Sequence, residues 1–391
     1  MKRYALDPSW MRCDSVVFAG SPVTKFVLTS RGCEVAAAIE RGESVDDDEL
    51  VRRFVAVGAI HPFPVSGAHT MGQVTVVIPA LISESVSRTR LQRLVDSLRD
   101  LSRVIVIDDH SPDPLAGLLG AEVVRTSHRV GPGAARNVGL ALVDTEFVLF
   151  VDADVTITSD SVRRLLDHMT SEEIGIVAPR VCGEAGDGLL AMYESAHSPL
   201  DMGGVEANVR KGTRVSYVPS ATWLCRTTAM RGIDGFDESF DTGEDVDAVW
   251  RLVERGWGVR YEPSIVVHHA ARPRLRDFVR QRIGYGESAA PLATKHGDSL
   301  APVRLSPLML GAWLLALFSP VLAAVVFVAD VVRLTRTLAT TTEERKALAR
   351  LAVRNLSHSS RGVARALTRT GWPLAVGLAG VSRRARGARA R

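Results

Sequence analysis

Residues 145–155 read TEFVLFVDADV. A short apolar run, Phe147 to Val151, stops abruptly at two carboxylates, Asp152 and Asp154. An uninterrupted apolar run between polar flanks is the pattern of a strand buried on both faces of a parallel sheet. Asp152-Ala153-Asp154 then lies at the strand's carboxyl end, the edge at which open α/β sheets bind ligands. Side chains two apart on extended backbone share a face, so both carboxylates can converge on one cation. An oxygen-only set suits Mg²⁺ or Mn²⁺, which also bind substrate phosphates. The plain alternative is a strand-to-loop turn, where Asp is common. The neighbouring segments decide between the two.

Upstream, Gly131-Pro132-Gly133-Ala134-Ala135-Arg136-Asn137-Val138-Gly139 has glycines that let backbone approach a ligand. Arg136 is expected to begin the helix that leads into the Asp152 strand. A basic side chain there opposes the helix dipole and calls for an anionic or planar partner, a nucleobase or pyrophosphate among them. Further back, Val104–Ile107 reads as a second buried strand, ending in Asp108-Asp109-His110-Ser111. Val74–Ile78 is a β-branched run stopped by Pro79. Between the two strands, Leu91, Leu94, Val95 and Leu98 recur at helical spacing. This β-α-β order predicts a parallel sheet with right-handed crossovers.

The pieces VVIPA, VIVIDDHSPD, GPGAARNVG and FVDAD, in this order and spacing, resemble the nucleotide-sugar half of the family-2 glycosyltransferases. Those enzymes have the GT-A fold, a Rossmann-like α/β nucleotide-sugar fold. The resemblance implies that Pro79, Asp108, Asp109, Arg136, Asn137 and Asp152 line a UDP-sugar. It puts Asp108 on the uracil, Arg136 on base or phosphate, Asp152 on ribose or metal, and Asp154 on Mn²⁺ or Mg²⁺.

Downstream, displacing UDP with inversion needs a carboxylate that takes the acceptor hydroxyl's proton. GFDESFDTGEDVDAVWR, residues 235–251, offers Glu244-Asp245 ahead of a helical stretch from Asp247 to Arg251. It resembles the family's E-D motif, which implies Asp245 as the base and Glu244 as its support. Alone, acids at a helix start would be ordinary. The strand Tyr261–Val267 ends in His268-His269, and a neutral imidazole can complete a metal site. Counting from Pro263 favours His269. His268 stays open, because neighbours on a strand face opposite sides.

Arg274–Gly286 has Leu275, Phe278, Val279, Arg282 and Ile283 at helical spacing and is expected along the active-site rim. Leu308–Ala329 is 22 residues without a charge, long enough to span a hydrocarbon core of ~30 Å. Its rival reading is a helical hairpin broken at Ser319-Pro320 and lying in the interface. Gly371–Gly380 is too short to span. Arg345, Lys346, Arg350 and Arg354, with the Arg383-Arg384-Ala385-Arg386 run, suit an anionic membrane surface.

At the other end, Val16–Phe18 and Lys25–Leu28 are set to pair around Gly20-Ser21-Pro22. Thr29 or Ser30 can cap a first helix, and Asp46–Asp48 open a second, with Leu50, Val51, Phe54 and Val55 on one side. A hairpin plus two helices predicts a small winged-helix-like domain. It resembles the PqqD-like peptide-recognition domains of peptide-modifying enzymes, which implies a peptide bound as an added strand. Nucleic acid is not expected as a partner, since the second helix begins with acids. Pro62–Gly72 reads as the linker. The expected domains are therefore 1–70, a peptide-recognition module; 73–300, the transferase; and 301–391, a hydrophobic, membrane-associated helical tail.

A length of 391 residues fits two or three domains. With 46% hydrophobic and 24% charged residues, the chain is no disordered one. Cys13, Cys33, Cys182 and Cys225 have no paired spacing, which argues against a zinc site or disulfide framework. MKRYALDPSW has no apolar run, so no secretory signal is expected. Reduced thiols and a UDP-sugar together place the transferase at the cytoplasmic face of the cell membrane. A PqqD-like front, a family-2 core and an apolar tail together resemble the glycosyltransferases of mycofactocin biosynthesis. That implies a peptide-derived acceptor, UDP-glucose as donor and a β-linked oligosaccharide as product. The alternatives are a membrane-associated transferase acting on a lipid or cell-wall glycan, and a non-catalytic peptide-binding adaptor. Intact Asp154 and Asp245 speak against the adaptor.

Overall fold

The apolar runs become strands and the amphipathic stretches become helices, in a computed structural model that describes residues 1–186, 188–270, 275–297, 306–316 and 318–353. Arg274, Arg304, Arg354, Gly371–Gly380 and Arg383–Arg386 lie outside the described residues. The chain divides into two units. One comprises Met1–Trp10, Ala19–Thr24 and Glu34–Gly297; the other comprises Met11–Phe18, Lys25–Cys33 and Asp298–Arg391.

At the amino end come β1 (Tyr4–Leu6), β2 (Met11–Cys13), β3 (Val16–Ala19) and β4 (Thr24–Val27). Two helices follow, α1 (Ser30–Glu40) and α2 (Glu49–Ala56), and then β5 (Ile60–Pro62). β2, β3 and β4 form a three-stranded sheet, so the expected hairpin is present. Thr29 Oγ1 accepts a hydrogen bond from the Gly32 amide at 3.2 Å, and Asp48 caps α2 by accepting one from Val51 at 2.9 Å. β5 pairs antiparallel with β1, Tyr4 opposite Pro62, so part of the expected linker is in fact a strand. Asp7, beyond β1, is buried and binds Arg214 through two bonds of 2.9 and 3.1 Å, with His61 at 3.2 Å.

The large sheet begins with β6 (Val74–Ala80), α3 (Ser85–Ser97), β7 (Arg103–Asp108) and β8 (Glu122–Arg125). It continues through α4 (Pro132–Ala141), β9 (Phe147–Val151), β10 (Val155–Thr156), α5 (Ser159–Asp167) and β11 (Ile174–Gly183). Next come α6 (Leu189–His197), β12 (Ala207–Asn208), β13 (Thr222–Arg226) and α7 (Thr227–Gly232). α8 (Glu244–Glu254), β14 (Gly258–His269), α9 (Leu275–Glu287) and α10 (Ala289–His296) complete that unit's described elements.

Nine strands lie in the order β10-β14-β11-β13-β9-β6-β7-β8, with β12 also on β14. β8, β7, β6 and β9 are mutually parallel, as the β-α-β pattern requires. β13 runs antiparallel to β9, which makes the whole sheet mixed. Leu91, Leu94 and Val95 of α3, and Leu98 just after it, are all buried in the same core as Val76, Ile78, Val106, Leu149 and Val151. Each such side chain contributes about 1.5–3 kcal/mol of burial. α4 lies so close to the sheet that a Cβ at Gly139 would come within 2.2 Å of Val77 Cγ1. Glycine is therefore required there by contact, not by a turn.

In the second unit, Val16, Phe18, Ala339, Leu348 and Leu351 share a small core. The tail corrects one expectation. Residues 308–329 do not form one spanning helix. They divide between α11 (Pro307–Ala316) and α12 (Pro320–Leu338), which pack against each other. Among the described residues no helix is long and apolar enough to cross a membrane. The break has a chemical cause. Pro320 has no amide hydrogen to continue α11 and fits the first turn of a new helix. Ser319 caps that turn, accepting a bond from the Leu322 amide at 3.3 Å.

Candidate active site

β9 delivers Asp152 and Asp154 to the carboxyl end of the parallel strands. Asp152 is pinned through its amide, which donates to Ala221 O at 3.0 Å, and the Ala270 amide donates to Asp154 O at 3.0 Å. That second bond brings in the end of β14. β10 pairs with β14 so that Val155 stands opposite His269. As a result Asp152, Asp154 and His269 each place one ligand atom within 4.8 Å of the other two. His268 is exposed on the other strand face, as alternation demands.

The donor chemistry of this trio fits a divalent cation. His269 Nδ1 lies 3.0 Å from Ala270 O, which can only accept, so Nδ1 carries the hydrogen. The lone pair of Nε2 then faces Asp154 Oδ1 at 3.3 Å. Two acceptors in that position need a proton or a metal between them. A ligating histidine that gives its other N–H to a backbone carbonyl is the usual arrangement around metals. Two carboxylates with one imidazole suit Mn²⁺ or Mg²⁺ better than a thiol-seeking ion.

α4 begins at Pro132, ahead of the expected start, because Gly131 adopts φ 90° and Pro132 fits the first helical position. Arg136 therefore sits in the second turn, inside the protein. It is 2% exposed. Its Nη2 donates to Asp152 Oδ1 at 2.6 Å and its Nη1 to Glu244 Oε1 at 3.0 Å. The guanidinium also lies over the Phe236 ring at 5.3 Å. One side chain thus touches Asp152 of the trio and Glu244 of the E-D pair.

Glu244 and Asp245 do not precede α8 but form its first turn. Gly243 makes this start, with φ 91°, a conformation other residues resist. A side chain at Gly243 would also strike Leu292 at 2.9 Å. Asp245 is half-buried and accepts from the Val246 amide at 2.7 Å and the Ser220 amide at 3.4 Å. Burial first, and then the neighbouring Glu244 charge, push its carboxyl up to about 7, against the pull of Arg136 and these amides. A carboxyl at that value changes protonation state near neutral pH, which is what a general base requires.

Other expected nucleotide residues are engaged by the chain itself. Pro79 lies on β6 opposite Ile107. Asp108 is fully buried and receives the Ser111 and Leu115 amides at 2.9 and 3.2 Å, together with Arg125. Burial would raise its carboxyl, but the bonds from Ser111, Arg125 and Leu115 hold it below the ordinary value. Asp109 binds the Val130 and Gly131 amides at 2.7 and 3.0 Å, which fixes the loop before α4. Asn137 bonds both backbone groups of Phe236, at 2.8 Å each, and Glu238 at 2.9 Å.

Sequence reasoning missed a buried cluster behind α8. Asp247, fully buried, accepts from Arg251 Nε at 2.7 Å, Lys295 Nζ at 2.8 Å and His296 Nε2 at 2.8 Å. Lys295 also reaches Asp237 at 2.6 Å. The i to i+4 spacing of Asp247 and Arg251 was a visible signal; Lys295 and His296 left none.

The sequence model described as glycosyl transferase family 2 matches residues 75–233. The chain is 39% identical over 385 residues to the pre-mycofactocin glycosyltransferase of Mycobacterium tuberculosis strain CDC 1551, a match covering 95% of this chain and 80% of that protein. It is 26% identical over 257 residues to the succinoglycan biosynthesis protein ExoA of Rhizobium meliloti strain 1021, covering 61% of this chain and 77% of that protein. Among solved structures, mannosyltransferase PcManGT from Pyrobaculum calidifontis, in complex with GDP-Man and Mn²⁺, superposes with a TM-score of 0.45 and 17% identity. That match covers 75% of this chain and 89% of that one, and is too distant to build on.

Proposed function

The chain belongs to glycosyl transferase family 2 and is a glycosyltransferase, and on that premise we propose that it moves a hexose, glucose, from a UDP-sugar to a peptide-derived acceptor with inversion. The acceptor we infer is the mycofactocin precursor, on which the 39% identical relative is named as acting. The observation that carries the chemistry is the Arg136 guanidinium bonded to both Asp152 and Glu244. It joins the candidate metal trio to the Glu244-Asp245 pair in one site.

In this reading Asp152, Asp154 and His269 would hold Mn²⁺ or Mg²⁺, and such an ion would supply positive charge for the leaving diphosphate. Asp245 stands on the acceptor side as the base. It takes the proton of the acceptor hydroxyl as that oxygen bonds to the anomeric carbon. The carbon–oxygen bond to UDP breaks in the same step, and UDP leaves with the electron pair. Glu244, held by Arg136, keeps the first turn of α8 in place. The loops fixed by Asp108, Asp109 and Asn137, with Pro79 at the end of β6, form the wall that receives the nucleotide. Residues 1–70 are the peptide-recognition part, a reading supported by three short strands, β2 to β4, followed by two helices.

The second reading, a transferase at the cytoplasmic face of the membrane acting on a lipid or cell-wall glycan, is favoured by the tail. Leu314, Phe318, Val321, Leu322 and Val325 of α11, α12 and their connection are all exposed.

The test is incubation of the full chain with UDP-glucose, Mn²⁺ and the peptide-derived acceptor, followed by mass spectrometry and NMR of the product. Hexose addition with a β anomeric configuration is expected. An α-linked product overturns inversion. Transfer only to lipid or glycan acceptors overturns the peptide-derived one in favour of the second reading.

A further inference from the structure

The chain places one cation between the two halves of its site. Arg136 and Glu244 are 108 residues apart in sequence, Arg136 and Asp152 only 16. Both terminal nitrogens of Arg136 are committed, one to each carboxylate, and the guanidinium has almost no exposure. Its Nε is buried without a partner among the described residues. With 2% of its surface exposed, the group offers a phosphate or base almost no surface to meet. Arginine suits the position because its planar fork serves two carboxylates at once, which a lysine ammonium cannot do in fixed geometry.

The helix that carries it is held from two sides. Gly139 lies against Val77 of β6, so α4 takes its position from the sheet. Asn137, the next residue after Arg136, bonds the amide and the carbonyl of Phe236. The Phe236 ring in turn lies under the Arg136 guanidinium. α4 is thus a rigid spacer between the sheet edge and the segment that leads into α8. Asp152 accepts from Arg136 through Oδ1 and is also a member of the trio with Asp154 and His269.

We propose that Arg136 is a positioning residue that clamps the metal-side carboxylate Asp152 to the acceptor-side Glu244, and that it does not bind the nucleotide. The clamp rests on the assignment of Asp152 and Glu244 to the two sides of the proposed reaction. It transmits any displacement of either carboxylate to the other. Misplacing reacting groups by about 1 Å costs on the order of 10²-fold in rate, so loss of the clamp appears in turnover and not in nucleotide affinity.

The experiment uses the full chain as wild type, Arg136→Gln, Glu244→Gln and the double variant. Calorimetry with UDP and Mn²⁺ gives nucleotide affinity. UDP release from UDP-glucose, with water or the acceptor, gives turnover. Affinity is expected within about threefold of wild type in all three variants, while each single change lowers turnover by about 10²-fold. Because the two residues act through one contact, the double variant should be no worse than the poorer single by more than about threefold. A fall of roughly tenfold or more in UDP affinity for Arg136→Gln, with turnover at saturating donor unchanged, makes Arg136 a nucleotide ligand and overturns the clamp. Multiplying single effects also overturn it. The same cycle run on melting temperature needs no substrate. If wild type turns over no UDP-sugar, the proposed reaction fails on its own, and additive melting shifts alone then overturn the clamp.

Discussion

Changing Asp245 to asparagine should move activity and stability in opposite directions. The side chain keeps its shape but cannot accept a proton, so transfer should fall by about 10²-fold or more while UDP still binds. Stability follows from the raised carboxyl. Holding Asp245 at about 7 against an ordinary value of 3.8 costs its charged form ~4 kcal/mol in the folded state. Residual solvent contact and adjustable neighbours reduce that to about 2 kcal/mol. The sign is fixed by linkage. The folded form binds its proton more tightly than the unfolded form, so stability falls as pH rises between the two values. The penalty is absent below about pH 4 and complete above about pH 8. Asparagine carries no such penalty. The variant should therefore melt higher than wild type by about 4–8 °C at pH 8, with the gap closing toward pH 5. Differential scanning calorimetry across that range, beside a UDP-release assay, reads both effects. In wild type the same titration makes turnover rise about tenfold per pH unit below 7 and flatten above it. A variant that loses activity and also melts lower at pH 8 would refute the reasoning, because Asp245 would then be a stabilising cap and not a strained base.

Excess chelator, or Asp154→Ala, should abolish Mn²⁺-dependent turnover, whereas His268→Ala should leave it within about twofold, since that side chain is exposed and outside the trio; turnover that survives chelation removes the metal from the site. Asp7→Asn should destabilise by about 3–5 kcal/mol at pH 7, because it leaves Arg214 facing a half-neutralised cluster. Burial would raise the Asp7 carboxyl, but bonds from His61, Arg214 and Ser9 carry it well below the usual range. That stabilisation is present above about pH 4 and lost as pH falls, so the two proteins should converge in acid when melted by circular dichroism. Gly139→Ala should cost about 1–3 kcal/mol by overpacking against Val77, and an unchanged denaturation midpoint would mean that α4 stands off the sheet.

Much of the sheet was legible because its strands are buried on both faces. Phe147–Val151, Val74–Ala80 and Arg103–Asp108 carry their signal within themselves, as continuous apolar runs ended by Asp or Pro. α3 was legible for the complementary reason, a single apolar stripe at helical spacing. The antiparallel member β13 was less so. TWLCR carries Thr and Arg at its ends where its neighbour FVLFV is wholly apolar, and strand direction is set by connections elsewhere in the chain. The tail shows a different limit. Hydropathy summed over residues 308–329 cannot register a missing amide hydrogen, and Pro320 together with the Ser319 cap decides that segment.

The site divides along the same line. His269 was found by counting along a strand, because alternation is a local rule that survives folding. Arg136 was found as a cation needing an anion, and that need was real. Its anions turned out to be the chain's own Asp152 and Glu244, one of them 108 residues away. Asp108, Asp109 and Asn137 follow the same rule. Their side chains hydrogen-bond the amides and carbonyls of neighbouring loops. A polar residue at a strand end has two ways to be satisfied, by ligand or by loop, and both leave one sequence pattern. Asp108 and Asp109 are enclosed, whereas Asn137, Asp152 and Asp154 keep part of their surface open.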